Sequence, residues 1–349
     1  MKTSDIIIII FALLLVVAIV FVITLPTKQQ TFNGINSTQN SLNPSAPELA
    51  GISGYINTNN ESIKLSNYFG KKVILIDFWT YTCINCIRTI PYLKIWDEKY
   101  LDSGLQIIGV HTPEFDFEKN YTNVQSAVKE LGIKYPVVQD NEFSTWNAYN
   151  NRYWPAKYLI DKNGNVVYTH FGEGNYEEME MKIIELLKDL NSDMLLKNVS
   201  SVNATSVDFY QIGTPEIYFG YNFRRDYIGN ELTSLTPLGI YNFTINKQTK
   251  IEPNKPYLEG SWKNNAGDFE LLSDSGRIIL YYKAKVVNIV AGSDSVSTVV
   301  SSVNNVLQKE INVSSSTLYN VVSANDYSPK TLELNITGKG FKIYTFTFG

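Results

Sequence analysis

The run VILIDFWTYTCINCIRTIP, Val73 to Pro91, holds the only two cysteines of this 349-residue chain, three positions apart. Its first seven residues form a nearly continuous apolar segment, the pattern of a strand buried on both faces. After Cys86, the residues Ile87, Ile90, Leu93, Ile95 and Trp96 fall near helical spacing. Cys83 and Cys86 therefore stand where a strand gives way to a helix. Asp77 is the one charge inside the strand.

Working outward, LQIIGVHT reads as a second strand, DFEKNYTNVQSAVKELG as an amphipathic helix stopped by Gly132, and YPVVQD as a third strand. A short helical or irregular piece follows around STWNAYN. AKYLIDKNGNVVYTHF has the form of a hairpin turning at Asn163-Gly164, and YEEMEMKIIELLKDL of a closing helix. This β-α-β-α-β-β-α order predicts an α/β domain over 49–192, a central sheet with helices on both faces. From 213 to 349 the pattern changes to short β-branched and aromatic runs with turn signals, which predicts an all-β sandwich. Polar connectors at 29–48 and 193–212 flank the α/β domain.

Residues Ile6 to Leu25 are apolar or uncharged, and as a helix they span roughly 30 Å, enough to cross a bilayer. No small-residue cleavage pattern follows, so residues 1–28 are expected to be an uncleaved signal-anchor rather than a cleaved signal peptide. Lys2 favours a cytoplasmic N-terminus, and eight N-x-S/T sequons suit an exported, glycosylated body. Both domains are thus expected outside the cytoplasm, membrane-anchored by one span. With 30 Lys+Arg against 34 Asp+Glu, the chain offers no basic face for nucleic acid.

Three uses of the cysteine pair compete. As a staple it would close a ring of four residues, worth only about 2 kcal/mol, whereas disulfides in exported proteins join distant segments. As a structural zinc clip it lacks partners: the only histidines, His111 and His170, do not have zinc-ligand spacing. As a reagent it is well placed, because free N–H groups and the dipole at a helix start favour a thiolate. Cys83, nearer the helix start, is expected to attack, and Cys86, one turn in, to resolve the mixed disulfide. No cofactor or metal is required.

Three further residues each admit two readings. Asp77 is either a strand-end carboxylate facing water or a buried acid with a raised pKa that shuttles the Cys86 proton. Pro155 is either an ordinary turn proline or a cis-proline holding Trp154 against the sulfurs. Glu114, just past the second strand, is either a surface charge or part of the site gathered at the strand ends. Trp79, Tyr81 and Trp154 flank these positions and are expected to touch the client. In the all-β domain, Trp262, Tyr257 and Tyr281 form either a sugar platform or core.

VILIDFWTYTCINCIRTIPYLKIW, GVHTPEFDFEKN and WPAKYLIDKNG, in that order, resemble the DipZ and TlpA-like membrane-anchored thiol-disulfide oxidoreductases over about 50–190. The resemblance implies a thioredoxin-like fold, Cys83 and Cys86 as the redox pair, Asp77 as the buried acid, Pro155 as the cis-proline and Glu114 as an active-site acid. GTPEIYFGY, YLEGSWK, IILYYKAKVVNIVAG and YTFTFG resemble the C-terminal jelly-roll of the DipZ branch, which is similar to carbohydrate-binding modules. Implied partners are exported protein disulfides or thiols, apocytochrome c among them, with a glycan or protein at the sandwich. Full DipZ proteins carry a multi-helix membrane domain where this chain has one helix, so electrons are expected from a separate membrane donor. Peroxiredoxins share Thr80 and Cys83 of their P-x-x-x-T-x-x-C motif, but Ile76 stands in place of the proline.

Overall fold

The computed structural model describes residues 44–59, 61–192, 207–231 and 234–349. The apolar segment Ile6–Leu25 and most of both connectors lie outside the described residues. Among those described, no helix is long and apolar enough to cross a membrane.

Ten elements build the first domain: β1 (Gly54–Ile56), β2 (Val73–Trp79), α1 (Ile84–Tyr100), β3 (Leu105–His111), α2 (Tyr121–Glu130), β4 (Val137–Gln139), α3 (Ser144–Ala148), β5 (Ala156–Ile160), β6 (Val166–Phe171) and α4 (Tyr176–Leu190). Their sheet runs β1-β4-β3-β2-β5-β6, with β2, β3 and β4 parallel and the others antiparallel. The chain steps in one direction from β2 to β3 to β4, so two right-handed crossovers put α1 and α2 on the same face. α4 joins them there, and Leu93, Trp96, Val124 and Ile183 pack with Val73, Leu75 and Trp79. The opposite face, carrying Ile74, Ile76 and Phe78, is covered by Trp146 and Tyr149 around α3, by Leu65, and by the entering segment at Ala46 and Leu49. Helical cover is therefore lopsided rather than equal on the two faces.

Two local departures have side-chain causes. The helix expected to start at Asp116 splits, because the Asn120 side chain accepts from Thr122 N–H at 2.9 Å and caps α2, leaving a 3-10 turn at Asp116–Lys119. The β5–β6 connection is a five-residue loop in which the Asp161 carboxylate accepts from the N–H groups of Asn163 and Asn165, not a two-residue turn. Residues 44–48, counted above as tether, are already part of the body. Ala46 N–H donates to Gly164, and Glu48 caps the backbone at Leu65 and Ser66.

The second domain has β7 (Ile217–Tyr218), β8 (Ile240–Phe243), β9 (Pro256–Asn264), β10 (Phe269–Leu271), β11 (Ser275–Lys283), β12 (Val286–Ser293), β13 (Ser297–Val303), β14 (Val306–Val313), β15 (Thr317–Ser323), β16 (Pro329–Thr337) and β17 (Phe341–Phe348). Rather than two separate sheets, they form one 11-stranded, nearly barrel-like sheet, β14-β13-β16-β11-β9-β10-β17-β12-β15, with β7 on β17 and β8 on β9. β9 turns the corner. Pro256–Glu259 pairs with β11, whereas Trp262–Asn264 pairs with β10. Gly260 sits at the switch with φ of 110°, and a Cβ there would meet the Ser273 hydroxyl at 2.9 Å. Trp262 is 0% and Tyr257 2% exposed, so two of the three aromatics considered as a sugar platform are core.

The two domains pack through an aromatic cluster. Phe115 and Phe117 of the 3-10 region meet Tyr218, Phe223, Val290 and Tyr344 of the β domain, and the Tyr81 hydroxyl donates to the Ser316 carbonyl at 3.4 Å.

Candidate active site

Cys83 is the N-cap of α1, with φ −73° and ψ 109°, and its Sγ accepts from the Cys86 backbone N–H at 3.2 Å. That contact places the sulfur among the unpaired N–H groups of the first turn, where negative charge is stabilised. Cys83 is partly exposed, Cys86 is 0% exposed, and both are free thiols. Burial, then the hydrogen bond and charge of Cys83, push the Cys86 thiol well up. One sulfur is therefore reachable and the other sealed.

Alternation along β2 sends Val73, Leu75 and Trp79 to the helical face, and Asp77 shares their parity. Asp77 is 1% exposed and pairs across the ladder with Lys157, also 1% exposed; Oδ1 and Nζ lie 3.5 Å apart. Desolvation raises the Asp77 pKa from 3.8 to about 6, even though Lys157 pulls it down. The Asp77 charge is among those felt by Cys86. On the other side, Asp77 pairs with Gly109, where a Cβ would come within 3.0 Å of Trp79 Nε1.

Glu114 stands at the domain boundary. The Tyr218 hydroxyl oxygen lies 2.8 Å from Glu114 Oε1, within hydrogen-bond distance, and Glu114 and Tyr218 line, with Cys83, Trp154, Glu216 and Arg225, a cleft of about 210 Å³. Burial, reinforced by the neighbouring Glu118 charge, raises the Glu114 pKa to about 8. Taken as a whole residue, Glu114 is partly exposed. Behind it, Glu118 is 0% exposed and ties the loop down, accepting from Thr82 Oγ1 at 2.5 Å and from the N–H groups of Glu114 and Phe115 at 2.6 and 3.0 Å. His111 is also buried, 3.2 Å from Thr80 Oγ1, and desolvation lowers its pKa to about 3, so it is a neutral packing group.

The Trp154–Pro155 bond is cis, and it precedes β5 at the end of the sheet where β2 leads to Cys83. Trp154 lines the cleft and donates Nε1–H to the Thr112 carbonyl at 3.0 Å. Trp79 and Tyr81, expected to face the client, do not: Trp79 is 1% exposed beneath α1, and Tyr81 is 6% exposed under the β domain. Ile76 is an internal strand residue at 0% exposure. Four site residues were not anticipated. Lys157 carried a signal, being the one charge in the apolar strand AKYLI, the same anomaly as Asp77. Tyr218, Glu216 and Arg225 carried none, since only the docking of two domains brings them near Glu114. Among the described residues, no three His, Cys, Asp or Glu side chains gather as a metal site.

A thioredoxin-like domain that pairs a capped, reachable cysteine with a sealed one beside a buried acid is, by class, a dithiol–disulfide exchange protein. Residues 42–185 match the Redoxin family, and 214–349 match the family described as thioredoxin like C-terminal domain. DipZ of Mycobacterium tuberculosis is 38% identical over 312 residues, 87% of this chain but 43% of that protein. The thiol-disulfide oxidoreductase ResA of Halalkalibacterium halodurans is 34% identical over 128 residues, 37% of this chain and 69% of ResA. The thiol-disulfide oxidoreductase YkuV of Bacillus subtilis is 26% identical over 143 residues, 41% of this chain and 94% of YkuV. The chain belongs to the DipZ/TlpA-like thiol-disulfide oxidoreductases of the thioredoxin-like family. It spans less than half the length of DipZ.

Proposed function

We propose that this chain works outside the cytoplasm, tethered by Ile6–Leu25, and exchanges disulfides with exported cysteine-bearing clients, apocytochrome c among them. The observation that carries the exchange chemistry is the unequal access of the two sulfurs: Cys83 opens on the cleft while Cys86 is 0% exposed one turn behind it. In the reducing direction, the Cys83 thiolate attacks a client disulfide, one client sulfur leaves as a thiol, and a mixed disulfide forms. Asp77 takes the proton of Cys86, whose sulfur attacks Cys83 and releases the second client thiol. The Cys83–Cys86 disulfide is then reduced by a separate membrane electron donor. The sequon residues Asn120, Asn242, Asn312 and Asn335 are all exposed, which suits an exported body open to glycosylation.

A Cys86→Ser variant is expected to accumulate client mixed disulfides on non-reducing gels, and Cys83→Ser to accumulate none. Equal trapping by both variants refutes the division of roles. Placement is tested by labelling the Cys86→Ser variant in intact cells with a membrane-impermeant thiol reagent: labelling only after lysis refutes it.

A further inference from the structure

The Tyr218 hydroxyl lies 2.8 Å from Glu114 Oε1 and 3.0 Å from Glu216 Oε2, so two carboxylates share one O–H. A phenol has one proton to donate and lone pairs to accept with. Both short contacts are full two-centre hydrogen bonds only if one of the carboxylates is itself protonated and donates to the Tyr218 oxygen. Glu216 is solvent-exposed, whereas Glu114 is enclosed by the aromatic contact and raised to about 8 by burial, so the extra proton belongs on Glu114. The Tyr218 ring is itself fixed. It stacks on Phe223 with centroids 6.4 Å apart, and the Arg225 guanidinium lies 5.2 Å from its centroid. The charged and titratable groups facing Glu114 are Glu118 behind it, Glu216 and Arg225 across the domain boundary, and Arg152 and Cys83 in the cleft.

Resting on the exchange reading above, we propose that the β domain completes the redox site: Glu114, Tyr218 and Glu216 form a proton relay in which Tyr218 donates to Glu216 while Glu114 holds a proton, and turns to Glu114 once that proton has gone to the departing client thiolate. The chemistry balances. As the bond from Cys83 to the client forms and the client disulfide breaks, the Cys83 sulfur is oxidised and the leaving sulfur is reduced by the same electron pair. The leaving thiolate takes the Glu114 proton, and Glu114 becomes a carboxylate. The proton released when the next Cys83 thiol ionises reloads Glu114. Tyr218 is then a positioning residue that lets Glu114 exist in either protonation state with a hydrogen bond in each.

The test uses the full chain carrying Cys86→Ser, and follows single-turnover formation of the mixed disulfide against pH. The probe is a short peptide disulfide with an alkyl leaving thiol, which needs an acid; an aromatic disulfide with a good leaving thiol is the control. With the alkyl probe, the rate per Cys83 thiolate is expected to fall on the alkaline side as Glu114 loses its proton. Tyr218→Phe strips the donor from the Glu114 carboxylate and moves that alkaline limb upward by about one pH unit, because hydrogen bonds to charge are the strong ones. Glu216→Gln removes a neighbouring negative charge and moves the limb downward. Glu114→Gln abolishes it, and the aromatic probe shows none. Shifts of opposite sign are not the mark of a merely damaged interface. A limb that stays put in both Tyr218→Phe and Glu216→Gln, or that survives Glu114→Gln, overturns the relay while leaving the exchange chemistry intact. No mixed disulfide at any pH overturns both.

Discussion

Lys157→Met isolates what the buried ion pair does. Lys157 Nζ lies 3.5 Å from Asp77 Oδ1, and at an effective dielectric constant near 20 that separation corresponds to about 5 kcal/mol of attraction for the charged carboxylate. At 1.36 kcal/mol per pKa unit, losing it lifts the Asp77 pKa from about 6 to roughly 9 or above. At pH 7 the wild-type carboxylate is about 90% ionised; in the variant about 1% remains. A base must be ionised to accept the Cys86 proton, so the resolving step is expected to slow about 100-fold, while attack by Cys83 is unchanged. Stopped-flow mixing with a client disulfide, quenched in acid and separated without reductant, reads the two steps apart. The variant accumulates mixed disulfide at pH 7, and the deficit closes as the pH approaches 9. Removing one partner of a buried pair costs roughly 3–5 kcal/mol, so thermal unfolding is measured alongside to show that the variant is native at the assay temperature. Resolution at the wild-type rate at pH 7, or a deficit that ignores pH, refutes Asp77 as the base.

Three further outcomes follow from single contacts. His111, neutral in the fold with a pKa of about 3 against 6.5 for the free group, contributes stability that is fully present above pH 6.5 and lost as pH falls through 3, on the order of 5 kcal/mol; His111→Phe is expected to flatten that acid-side loss in denaturant titrations, and parallel slopes contradict it. Glu118→Ala leaves Thr82 Oγ1 and two loop N–H groups buried without their acceptor, for a cost of roughly 3–5 kcal/mol, whereas Glu118→Gln costs clearly less; equal losses would rule out the acceptor role. Phe115, 2% exposed between the domains, is expected to cost roughly 3–5 kcal/mol as Ala by chemical unfolding, and a loss under about 1 kcal/mol would mean that the aromatic contact contributes little.

The position of the cysteine pair at a strand–helix junction was legible because its signals are local: an apolar strand, a helical period and two cysteines between them. Asp77 was legible as a charge in an otherwise apolar strand. Trp79 and Tyr81 were misplaced for a reason local pattern does not carry. Trp79 has the parity of the helical face, and Tyr81 is covered by a domain more than two hundred residues away, its hydroxyl reaching Ser316. The partners of Glu114 were invisible in the same way, since Tyr218 is 104 residues distant in sequence. In the β domain the strands could be counted from their residues, but closure into one sheet depends on Gly260, where β9 leaves one neighbour for another.

The two acids proposed to serve the two sulfurs are held in opposite states at neutral pH. Asp77, at about 6, is mostly ionised because Lys157 offsets part of its desolvation; Glu114, at about 8, is mostly protonated because of burial first, reinforced by the neighbouring Glu118 and Glu216 charges. Environments that drive two carboxyl groups apart in this way assign one as base and one as acid. The proposed exchange needs both, in that spatial order. The exposed step must protonate a leaving thiolate at the cleft, and the buried step must remove the proton of Cys86. A single acid tuned near 7 would be half in the wrong form for each. The acid also stands where the second domain docks, with the Tyr218 hydroxyl within hydrogen-bond reach of its carboxyl group.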